Sequence, residues 1–116
     1  MAFQRAADLD EVWDGEMVPR GVGGCRLVLV RLGDTVLAFE DRCVHLGVAL
    51  SEGTLEDLVI TCSAHHYQYD ALTGRGVNPK AACLTRFPVR IEGGAIWVDV
   101  AAGFRESDRD RERGDG

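Results

Sequence analysis

All three histidines of this 116-residue chain fall in two short segments, each beside a cysteine: Cys43-Val44-His45 and Cys62-Ser63-Ala64-His65-His66. Sixteen residues separate His45 from Cys62. Few chemistries use C-x-H followed at that distance by C-x-x-H. Two thiolates and two imidazoles, supplied as two mixed pairs, can hold a pair of sulfide-bridged irons, with both cysteines on one iron and both histidines on the other. The same ligand set could close a tetrahedral zinc site. Zinc pairs usually group like ligands, whereas each segment here mixes the two types. The spacing therefore favours the iron–sulfur centre and predicts Cys43, His45, Cys62 and His65 as its ligands, with a zinc-stabilised interaction module as the remote alternative.

The histidines change the redox chemistry. Two ferric ions, two sulfides and two thiolates with neutral imidazoles sum to about zero charge, against about −2 for an all-cysteine cluster. An electron is added more easily to the neutral assembly, so its potential is higher. His66 directly follows a ligand and is read as an exposed neighbour, not a ligand.

The rest of the chain bounds what such a centre could serve. A length of 116 residues predicts one domain. The net charge of −6 makes nucleic acid and anionic membranes poor partners, and suits a partner that presents basic residues. No apolar run is long enough to span a membrane, and residues 1–10 lack the apolar core of a signal peptide. A cytoplasmic protein is expected, and a reducing compartment argues against disulfides among the four cysteines. Cys25 and Cys83, away from any histidine, are expected to be buried thiols, and Trp13 and Trp97 to be core and scaffold.

Short strands separated by glycine-rich turns run through the sequence, which predicts an all-β fold. Residues 8–13 form one helical turn with Asp8 as its cap. Strands are expected over Cys25–Arg31, Thr35–Phe39, Leu58–Thr61 and Tyr67–Asp70. A final hairpin is expected from Phe87–Ile91 and Ala95–Val100 around Gly93-Gly94. Residues 1–40 and 84–101 would build a β scaffold from both ends of the chain, and residues 41–83 a loop-rich insertion carrying every histidine. The domain is expected to end near residue 104. From Arg105 to Gly116 nine of twelve residues are charged, which predicts a disordered tail.

The segments around the ligands resemble the Rieske ferredoxin family: Cys43-x-His45-Leu46-Gly47, then Cys62-x-x-His65, then Tyr69-Asp70-Ala71-Leu72-Thr73-Gly74. The likeness extends to the ferredoxin components of toluene and alkene monooxygenases through Gly15-Glu16-Met17, Leu50-Ser51-Glu52-Gly53 and Asn78-Pro79, and covers roughly residues 8–100. It implies three antiparallel sheets with the cluster loops at one end, and one cluster of two iron and two sulfide ions. It also implies a one-electron carrier, not an enzyme, expected to be a monomer. The implied partners are an NADH-dependent flavoprotein reductase and a diiron hydroxylase acting on an aromatic or a small alkene, isoprene included. A ferredoxin of a ring-hydroxylating dioxygenase and the small subunit of a nitrite reductase are the alternatives within the same family.

Departures from the family are informative. In respiratory and photosynthetic relatives each cluster loop holds an extra cysteine, and those two pair; Val48 and Ala64 stand at those positions and cannot. A serine that donates to a cluster sulfide there is Tyr67 here. Fewer donors to sulfur imply a lower potential. Tyr69 matches a tyrosine that hydrogen-bonds a ligand sulfur, and would raise the potential modestly. Leu46, Val48, Tyr67 and Pro79 would form an apolar rim for shielding and docking, Gly76 to Pro79 a third loop over the cluster, and Asp41, Glu52, Glu56, Asp57 and Asp70 an acidic collar.

Overall fold

The computed structural model describes residues 3–43, 47–63 and 66–106. Eleven strands form three antiparallel sheets. In chain order they are β1 (Gln4–Asp8), β2 (Met17–Val22), β3 (Cys25–Leu32), β4 (Thr35–Glu40), β5 (Thr54–Glu56), β6 (Val59–Thr61), β7 (Gln68–Asp70), β8 (Gly76–Asn78), β9 (Arg86–Phe87), β10 (Val89–Glu92) and β11 (Ala95–Val98). The sheet orders are β1-β11-β10, β2-β3-β4-β9 and β5-β6-β7-β8. No helix among the described residues is long and apolar enough to cross a membrane.

The middle sheet, β2-β3-β4-β9, is covered on both faces, and this explains the unbroken apolar run Leu27–Val30 within β3. Side chains alternate faces along a strand. Leu27 and Leu29 enter one core with Val36, Ala38, Phe87 and Ile96. Val28 and Val30 enter the other with Leu37, Phe39, Leu50, Ile60 and Tyr69. A strand buried on both faces loses the polar alternation of a half-exposed strand. The second of these cores also contains Cys43 and Cys62, so the functional loops are rooted in packed scaffold.

The insertion leaves and re-enters through neighbouring strands. Ala38 of β4 faces Phe87 of β9, and Phe39 faces Arg86. The Glu40 N–H donates to the Thr85 carbonyl at 2.8 Å, closing the base. Everything between, including β5 to β8, is inserted between these two paired strands of the middle sheet.

Several expectations need correction. The hairpin strand expected over residues 87–91 is two strands. Pro88 lacks an N–H and interrupts the ladder; β9 before it joins the middle sheet and β10 after it joins the first sheet. The partner strand β11 ends at Val98, where the Asp99 carboxylate accepts from Ala101 N–H and starts a 3-10 turn over Val100–Ala102. Strand β6 begins at Val59, because Leu58 has φ +65° and belongs to a turn. Strands β1, polar in sequence, and β2, interrupted by Pro19 and Gly21, lie outside the expected strands. Trp13 is 69% exposed instead of core. Its indole N–H donates to the Asp10 carbonyl and its backbone N–H to Glu16, which hold it outside the capped turn. Cys25 is half-buried while Cys83 is buried. Beside the expected end of the domain, Glu106 meets Arg86 at 3.1 Å, and its carbonyl accepts from Arg75. Residues 107–116 lie outside the described residues.

Candidate metal centre

Two loops present the site, and their closures match. In the first, the Cys43 N–H donates to the Val48 carbonyl at 2.7 Å. In the second, the Cys62 N–H donates to the Tyr67 carbonyl, also at 2.7 Å. Each cysteine is thus tied to the residue five positions on. Among the described residues each loop also turns through a left-handed residue, Gly47 at φ +73° and His66 at φ +57°. Histidine is among the few side chains enriched in that conformation. His66 therefore holds the second loop where glycine holds the first. It is exposed, as the sequence predicts, but its backbone role was missed; the matching offsets Cys43 to Gly47 and Cys62 to His66 carried that signal.

Both thiols are buried and belong to the same core, which also holds Tyr69 of β7. The Tyr69 hydroxyl lies 3.4 Å from Cys43 Sγ. No disulfide joins any of the four cysteines. Two thiols in one buried patch, with a hydroxyl on sulfur, fit the thiolate half of a two-cysteine, two-histidine donor set. The imidazole half, His45 and His65, lies outside the described residues, as does Leu46.

Close backbone approach requires glycine at two places. A Cβ on Gly53 would lie 2.0 Å from the Thr61 carbonyl oxygen and 3.3 Å from Cys62 Cα. One on Gly76 would lie 2.2 Å from the Pro79 oxygen. Thus Gly53 brings the end of the first loop against the start of the second. Gly76 to Asn78, expected as loop, is strand β8, paired with β7. The turn follows it, from the cis Asn78–Pro79 bond to Ala82, whose N–H donates to the Pro79 carbonyl at 3.2 Å.

The remaining candidates divide. Val48 and Tyr67 are half-buried and pack on the core that holds the cysteines, and Pro79 is half-buried. The acidic collar does not form. Asp41 is buried and bonds Ser51. Asp70 accepts from Leu72 N–H within its own turn. Glu56 and Asp57 sit at the far end of the β5–β6 hairpin. Asp57 precedes Cys62 by five residues, roughly 16 Å of strand at 3.3 Å each. Only Glu52, exposed beside Gly53, remains near the site.

Comparison with known proteins matches this architecture. Residues 2–88 match the Rieske [2Fe-2S] domain, so the chain belongs to that family. It is 40% identical over 91 residues to the ferredoxin component of the alkene monooxygenase system of Xanthobacter autotrophicus, covering 78% of this chain and 75% of that one. It is 32% identical to the ferredoxin component of biphenyl 2,3-dioxygenase of Rhodococcus jostii, covering 89% and 97%. The ferredoxin of carbazole 1,9a-dioxygenase from Nocardioides aromaticivorans IC177 superposes with a TM-score of 0.78 at 29% identity, covering 84% and 97%. The protein is a Rieske ferredoxin. It is an electron carrier and not a catalyst, and takes one Rieske-type cluster held by two cysteines and two histidines.

Proposed function

We propose that this ferredoxin carries single electrons from an NADH-dependent flavoprotein reductase to the diiron hydroxylase of an aromatic or alkene monooxygenase, isoprene being one candidate substrate. What supports the reading is the 40% identity to the alkene monooxygenase ferredoxin, against 32% for the biphenyl dioxygenase ferredoxin. The fuller coverage of the latter, 97% of its length, favours a second reading, the ferredoxin of a ring-hydroxylating dioxygenase.

Cys43, His45, Cys62 and His65 are proposed as the cluster ligands. When bound, the cluster supplies reversible one-electron storage. The chain supplies the rest. The two Cys N–H to carbonyl closures fix the loop ends that carry the thiols. Tyr69 places a hydroxyl at one sulfur. Val48 and Tyr67 cover the loops with partly buried apolar surface, and with Leu46 and Pro79 would form a rim small enough for a short-lived complex.

The test is reconstitution. NADH-driven epoxidation or ring hydroxylation with a diiron hydroxylase, but none with a Rieske dioxygenase, would support the reading. The reverse result would establish the dioxygenase assignment. A potential near about −150 mV fits either oxygenase, so the partner experiment has to decide between them.

A further inference from the structure

The chain carries a net charge of −6, yet the surface beside its first cluster loop is a cleft lined by arginine. The cleft, of about 440 Å³, is bounded by Cys25, Arg26, Glu40, Asp41, Arg42 and Gly47. It continues into a second hollow of about 210 Å³ that shares Arg26 and Asp41 and adds Arg20. The lining also holds two carboxylates, Glu40 and Asp41, the latter with both oxygens held by the Ser51 N–H and hydroxyl. Among the described residues neither forms an ion pair with Arg26 or Arg42, so it is the two open guanidiniums and not a net positive charge that mark the cleft. Arg20 is only 3.9 Å from Glu11, at the outer end. Arg26 and Arg42 are exposed. Neither has an ion-pair or hydrogen-bond partner for its guanidinium among the described residues. Arg5, Arg31, Arg86 and Arg90, by contrast, are each engaged by a carboxylate or by backbone carbonyls.

Position gives these two charges a use. Arg42 adjoins Cys43, and its Nε would be 3.2 Å from a Cβ on Gly47, so the guanidinium lies along the loop itself. Arg26 stands beside it, since the Asp41 N–H donates to the Arg26 carbonyl at 3.0 Å. We infer that Arg26 and Arg42 dock a carboxylate-bearing surface of an electron-transfer partner. The cleft would set that surface against the loop carrying Cys43, whatever the repulsion from the acidic remainder. A guanidinium fork accepts a carboxylate in bidentate fashion, and complementary charge at the rim of an interface acts mainly on association rate. The inference rests on the electron-carrier reading but not on which oxygenase is served.

The experiment compares Arg26→Gln/Arg42→Gln with Arg5→Gln/Arg90→Gln, both of which move the net charge from −6 to −8. Holoproteins whose visible spectra match wild type are mixed by stopped flow with the reductase and with the hydroxylase. The cleft variant is expected to associate about tenfold more slowly with at least one partner at low salt, and to converge with wild type near 1 M salt, where the Debye length is about 3 Å. The control pair is expected to stay near wild type. Equal slowing in both pairs, or none in the cleft variant, overturns the proposal. A second readout needs no partner. One electron passes from the reduced protein to ferricyanide, giving ferrocyanide, and this should slow in the cleft variant while oxidation by a cationic cobalt complex does not. If wild type transfers to neither component, the partner assignment falls, and the two small oxidants still decide whether these two guanidiniums guide an anion to this exit.

Discussion

Asp41 and Ser51 clasp the first loop at its neck: one carboxylate oxygen accepts from the Ser51 N–H at 2.8 Å and the other from its hydroxyl at 2.7 Å. Nine residues, Arg42 to Leu50, lie between this pair and include Cys43, and Leu50 is fully buried. Asp41→Ala leaves a partly buried N–H and hydroxyl without their acceptor and should cost about 1–3 kcal/mol, while Ser51→Ala, which loses one bond, should cost about 1 kcal/mol. Thermal unfolding of the holoproteins checks the order. A silent Asp41→Ala would mean that the clasp contributes nothing.

Tyr69→Phe removes the hydroxyl 3.4 Å from Cys43 Sγ. A donor to sulfur stabilises the reduced, more negative state, so its loss should lower the potential. A net hydrogen bond of about 0.5–1.5 kcal/mol corresponds to about 20–60 mV for one electron. Protein-film voltammetry reads this directly, and an unchanged potential would reduce Tyr69 to a packing residue.

Gly53→Ala drives a methyl to within 2.0 Å of the Thr61 oxygen, next to Cys62. Overpacking of this kind should cost about 1–3 kcal/mol and lower the yield of cluster-loaded protein. Gly21→Ala, where nothing lies within 4 Å of the new methyl, is the contrasting case. It should stay within about 0.5 kcal/mol of wild type. Equal melting temperatures for the two variants would refute the close approach.

Burial, and after it the Glu40 carboxylate, push the Cys25 thiol above its ordinary pKa. The folded chain therefore favours the neutral thiol. That small contribution to stability is complete below the unfolded thiol's pKa and is lost as pH climbs through the alkaline range to the folded one. Alkylation of Cys25 by iodoacetamide should be slow near neutral pH, and Glu40→Gln should shift its pH profile to lower values. Mass spectrometry resolves the site. A profile that moves upward, or not at all, would remove Glu40 as a cause.

Residues with strong chemistry and short-range spacing were legible without a structure. Cys43 and Cys62 could be proposed together as ligands because one or two residues separate each from a histidine, and both thiols do lie in one buried core. The double-faced run Leu27–Val30 announced itself as strand by apolar content alone. What stayed hidden depended on long-range pairing. Gln4–Asp8 is a strand only because β11 lies beside it. Trp13 looked like core because indole usually is, and only the Asp10 and Glu16 contacts hold it outside. Asp41 read as surface charge until Ser51, ten residues away, claimed both oxygens.

The insertion rises from two strands that are already hydrogen-bonded to each other at Ala38–Phe87 and Phe39–Arg86. Its ends are therefore held together by the scaffold, whatever lies between them. A change in loop length adds only slowly to the closure cost, about 0.6 kcal/mol per doubling. The redox head is a cassette in a socket: its loops can be lengthened, recharged or reshaped for a new partner while the strands beneath keep the same register.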